Sequence, residues 1–126
     1  MAEAARKEAE EEKRRQAEEK KRQEKLRVLK DLAAKIKAEQ GRVDAFIQEA
    51  ADWRGSRLLR EYVAAVRANA EKNREECDPG SERGKWIEWA IQQADRLDPL
   101  VAEKPPSILD RAPEVANLEA EQQRVW

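Results

Sequence analysis

From Leu26 onward, apolar residues return at steps of three and four: Leu29, Leu32, Ile36, Val43, Phe46, Ala50 and Trp53, interrupted once by Glu39 and widened by Leu26, Ala33 and Ile47. That period is α-helical, and several heptads of it suit a coiled-coil seam. Gly41 lies inside the stripe. A glycine costs about 1 kcal/mol in a helix interior and often closes a helix. The pattern therefore predicts one helix to about residue 40 and a second over about 43–53, with a single helix running through Gly41 as the alternative.

Gly55-Ser56 reads as the next break, with Ser56 placed to cap a new helix. That helix is predicted to reach about Glu76, with Leu59, Tyr62, Val63, Val66 and Ala70 on one face. Asp78-Pro79-Gly80-Ser81 then predicts a turn, with Asp78 or Ser81 capping the helix that follows. Residues 82–97 carry Trp86, Ile87, Trp89, Ala90, Ile91, Ala94 and Leu97, and Pro99 ends the run. Beyond it, Lys104-Pro105-Pro106-Ser107 is non-helical, Ile108-Leu109 is expected to tuck onto the bundle, and residues 113–124 predict a last helix with Pro113 at its first position. No alternating β-branched run suggests a sheet. The expected fold is all-α: a long charged N-terminal helix leading into a small helical bundle, with an irregular Pro-containing C-terminal tail.

Residues 2–25 are of another kind. They contain only Lys, Arg, Glu, Ala and Gln, all good helix formers, and no large apolar residue. Glu3/Lys7, Glu10/Arg14, Glu11/Arg15 and Glu18/Arg22 have the spacing of stabilising helix-surface pairs. As a helix the segment reaches about 36 Å, at roughly 1.5 Å per residue. The division expected is a charged arm over 1–25, a helical bundle and coiled-coil domain over 26–100, and a tail with a short helix over 101–126.

Composition narrows the chemistry. Of 126 residues, 42 % are charged, with 26 Lys plus Arg against 27 Asp plus Glu, and there is no His and one Cys. Without histidine the commonest general base and metal ligand is missing, and one cysteine closes no disulfide and builds no thiolate zinc site. Cys77, beside Glu75, Glu76 and Asp78, sits where a thiolate is disfavoured. Asp95 and Asp98 are three apart like an acid–base pair, but Arg96 between them and Pro99 after them suit a helix ending better. No phosphate-cradling glycine loop and no membrane-length apolar run occurs. The sequence thus predicts no catalytic residues, no metal and no cofactor, in a cytoplasmic protein.

The remaining candidates are surfaces. Trp53, Tyr62, Trp86 and Trp89 are the aromatic set, expected mainly to carry the core and alternatively to form a face for a partner protein. Trp126 reads as an exposed end. Arg54, Arg57 and Arg60 repeat every three residues and form a possible phosphate-contacting strip. Residues 53–74 hold six basic side chains against two acidic, and residues 75–126 six against twelve, so ion pairs between these parts are the expectation that competes with nucleic-acid contact.

WRGSRLLREYVAAVRANA followed by KWIEWAIQQADRLDPL resembles the C-terminal helical region of large uncharacterised bacterial proteins often carried on mobile elements. The matching positions are Trp53, Arg60, Tyr62, Val66, Trp86, Trp89, Ala90, Ala94, Asp95, Arg96, Leu97, Asp98, Pro99 and Leu100. Gly55-Ser56 departs from the more helix-friendly sequence of that group. The resemblance implies no activity; it implies the tail of a larger protein, or a product made separately from one. The function expected is non-enzymatic. It is a helical interaction and oligomerisation module, seamed along Leu26, Leu29, Leu32, Ile36, Val43 and Phe46, whose partner is itself or another protein. The second reading is a nucleic-acid-associated accessory protein using the arginine strip.

Overall fold

The computed structural model describes residues 2–125. All the regular elements among them are helical, with no strand: α1 spans Ala2–Lys72, α2 Glu82–Leu97 and α3 Ala112–Val125, with a 3-10 turn at Ile108–Arg111 ahead of α3 and irregular connections over 73–81 and 98–107. The chain divides after Phe46 into two units.

The first unit, residues 2–46, is α1 alone, and every residue of it is exposed. What holds it is local. Arg15 pairs with Glu12, Arg22 with Glu19 and Arg27 with Glu24, each three residues back along the helix. The expected four-residue pairs Glu11/Arg15 and Glu18/Arg22 give way to these neighbours, because both spacings bring side chains together and Glu12 and Glu19 are equally placed to compete.

Gly41 does not end the helix, which corrects the predicted division at residue 40. A helix stop of that kind needs glycine in the left-handed region, and no glycine in the chain has positive φ. Gln40 donates to Asp44 at 2.9 Å, a side-chain bridge spanning the glycine on the helix surface. With strong helix formers on both sides, roughly 1 kcal/mol of glycine penalty is too little to break the run.

The second unit, residues 47–125, is where tertiary packing occurs. Here too a predicted break is absent: Gly55 and Ser56 lie within α1. Ser56 is fully buried, and its hydroxyl donates to the Trp53 carbonyl at 2.7 Å, so the polar group is satisfied inside the helix instead of capping a new one. A Cβ on Gly55 would stand 3.1 Å from Leu97 Cδ2. The pair marks a close approach of α2 to α1, where small residues are needed, and not a turn.

α1 ends at Lys72, four residues earlier than the pattern suggested. Glu75 N–H donates to the Ala70 carbonyl at 2.8 Å and Arg74 N–H to Glu71 at 3.1 Å, the two bonds of a Schellman ending. Arg74 holds the left-handed position at φ 56°, the place glycine usually takes. Ser81 is the cap of α2; its Oγ accepts from Gly84 N–H at 3.0 Å.

α2 returns antiparallel to α1: Leu97 reaches Gly55, Asp95 reaches Arg60 and Trp86 reaches Tyr62. The core between them is thin. It comprises Val63, Ala70, Ile87, Ala90 and Ala94 with Ser56, and Cys77 and Trp86 lie partly against it. Ser56, Val63 and Ala70 stand seven apart on one line of α1, so the buried face is a heptad line with mostly small side chains.

Candidate interaction surfaces

In the first unit the stripe residues Leu26, Leu29, Leu32, Ile36, Val43 and Phe46 are on one side of a single helix and keep 40–70 % of their surface open. No element of that unit covers them. In water, a contiguous apolar stripe of this length is a cost unless something is laid on it.

In the second unit the aromatic side chains form a cluster on the surface. Tyr62 meets Trp86 edge-on with ring centroids 6.5 Å apart, and Trp86 meets Trp89 at 6.5 Å, tilted. Tyr62 and Trp89 are more than half exposed, and Trp53 is 40 % exposed. This corrects the expectation that the tryptophans carry the core. Only Trp86 packs partly against it, because helices meeting through serine and alanine come too close to hold indole rings between them. Trp126 lies outside the described residues.

The arginine strip is distributed among different partners. Arg60 donates from one guanidinium nitrogen to Asp98 Oδ2 at 2.8 Å and from the other to Asp95 Oδ1 at 2.9 Å. The hydrogen bond to Asp95 first, and that to Asp98 second, hold its pKa above the usual arginine value. The Arg57 guanidinium lies over the Trp53 ring, 5.1 Å from its centroid, a cation–π contact. Of the three, Arg60 is the one whose charge is spent inside the fold.

Asp98, which sequence reasoning read as a helix-ending residue, is more than that. Its N–H donates to the Ala94 carbonyl at 3.0 Å, and its carboxylate accepts from Leu100 N–H at 2.9 Å as well as from Arg60. The Leu100 bond first, and Arg60 second, hold its carboxyl below the usual range. Lys104 Nζ donates to the Asp98 carbonyl at 2.7 Å. Asp98 therefore ties α1, the end of α2 and the following loop together.

A second tie was missed in sequence. Arg96 binds Asp110 at 2.7 Å and the Pro105 carbonyl at 2.8 Å, while Ser107 and Asp110 form a reciprocal capping box over the 3-10 turn. Arg96 first, and Ser107 N–H second, hold Asp110 below the usual carboxylate range. The Ser107-x-x-Asp110 spacing was the available signal. Ile108 and Leu109 stay 81 % and 64 % exposed, so they do not tuck onto the bundle as expected. The turn is held by polar bonds instead.

Among the described residues no group of His, Cys, Asp or Glu is arranged to hold a metal ion, and no helix is long and apolar enough to cross a membrane. No protein family, curated protein or solved structure matches the chain.

Proposed function

We propose that this chain is a non-enzymatic helical interaction module of the cytoplasm, which self-associates through the stripe of residues 26–46 and offers the Tyr62, Trp86 and Trp89 face to a protein partner. One observation carries the reading: six large apolar side chains share one side of a helix and stand 40–70 % exposed, with nothing in their own unit to cover them. Burying each Leu or Ile contributes roughly 1.5–3 kcal/mol, so a handful of them outweighs the entropy of bringing two chains together. The surrounding Lys, Arg and Glu residues keep the seam soluble and set its register.

Size-exclusion chromatography with light scattering across a range of protein concentrations tests this. A dimeric or larger mass is expected for the natural chain, and the monomer mass for Leu32→Asp with its helix content retained by circular dichroism. A natural chain that stays monomeric at about 0.1 mM would overturn the reading.

A further inference from the structure

We infer that two copies pair antiparallel through the 26–46 stripe, an orientation that rests on the self-association proposed above. The phase set by Leu29, Leu32, Ile36, Val43 and Phe46 fixes which other residues of the first unit face the same way. Continued toward the N-terminus it places Lys25, Arg22, Glu18, Arg15 and Glu11 on the seam line, and between Ile36 and Val43 it places Glu39 there.

A parallel pair closes under two-fold symmetry only when the helices are in register; a staggered one leaves an unsatisfied end and grows. In register, each of those charged residues meets its own copy, cation against cation and carboxylate against carboxylate. Glu39 meets Glu39 inside the apolar stretch, where a charge on the seam is least tolerated. The intrahelical pairs Arg15 with Glu12 and Arg22 with Glu19 moderate two of these encounters and leave the Glu39 encounter in place.

Turning one helix around removes the conflict. With the two-fold axis across the helices, Leu29 lies opposite the partner's Phe46, Leu32 opposite the partner's Val43, and Ile36 opposite the partner's Glu39. Each Glu39 then has the partner's Lys35 beside it, one position from the residue it faces. The two charged arms then lie at opposite ends of the pair and do not meet, so residues 2–25 of the two copies do not repel each other.

Pulsed dipolar distances on the full chain read the orientation. In a Cys77→Ser background, one nitroxide label is placed at Gln16→Cys and, in a separate sample, at Ala38→Cys, with light scattering run on both. The antiparallel pair centres between residues 37 and 38, so the Gln16 labels stand about 65 Å apart, at 1.5 Å of rise per residue, while the Ala38 labels stand about 20–30 Å apart. A dimer whose Gln16 labels also give about 20–30 Å would overturn the antiparallel orientation and leave self-association standing. A monomer by light scattering would overturn both.

Discussion

Arg60 and Asp98 are 38 residues apart in sequence and meet at 2.8 Å, where the carboxylate that ends α2 also accepts from Leu100 N–H. With so small an apolar core, this polar junction and the neighbouring Asp95 decide how α2 is set against α1. The Asp98 side chain is 9 % exposed and that of Asp95 35 %, so their contributions differ. Asp98→Asn is expected to lower the thermal midpoint of the second unit more than Asp95→Asn does. Arg60→Lys, which cannot fork between two carboxylates, should fall between Arg60→Met and the natural chain. Thermal unfolding followed by circular dichroism ranks the four variants.

Arg74 occupies a left-handed backbone position that costs a residue with a Cβ about 1–2 kcal/mol. Arg74→Gly relieves that strain while keeping both Schellman bonds, and is expected to stabilise the second unit by about 1 kcal/mol in urea unfolding. A loss of stability would mean that the Arg74 side chain contributes more than its backbone costs.

Two glycines should respond oppositely to alanine. At Gly84 a Cβ would stand 1.9 Å from the Asp78 carbonyl oxygen, so Gly84→Ala must displace the turn or the start of α2, and a loss of about 1–3 kcal/mol or more is expected. At Gly41 nothing lies within 4 Å of the added carbon, and Gly41→Ala should favour the helix by about 0.5–1 kcal/mol. Urea unfolding reports the first, and the helical signal on heating reports the second.

Acid sensitivity follows from Asp98 and Asp110, both held below the ordinary carboxylate range. A group whose folded pKa is depressed contributes stability above its unfolded value, about 4, and loses it as the pH falls through the folded value. The thermal midpoint of the second unit should therefore hold steady down to about pH 5 as far as these groups are concerned, then drop below about pH 4. Asp98→Asn should flatten that drop, and an unchanged slope would remove Asp98 from the account.

Much of this fold was legible in sequence because helix periods and strong helix formers are local signals. The all-α class, the charged arm, the turn at 78–81 and the Ser81 cap follow from residues within a few positions of one another. Gly41 and Gly55 misled for a definite reason: a glycine's effect depends on whether anything takes up the free chain ends, and neighbours such as Gln40 and Asp44 made continuation the better option. The aromatic residues misled through size. Trp89 and Tyr62 are large enough to dominate a core, yet the Ser56, Ala90 and Ala94 line brings the helices too close to admit them. The charge balance of residues 53–74 against 75–126 predicts ion pairing between them, as Arg60 with Asp95 and Asp98 shows, but nothing in the spacing of Arg54, Arg57 and Arg60 distinguishes the arginine that makes it.

The lean interior of the second unit has a thermodynamic consequence. Val63, Ile87 and three alanines expose little new hydrocarbon when the helices part, and newly wetted hydrocarbon is what gives unfolding its positive heat-capacity increment. This unit should therefore come apart over a broad span of temperature, with a shallow dependence on denaturant. A partner laid across its aromatic side would steepen both.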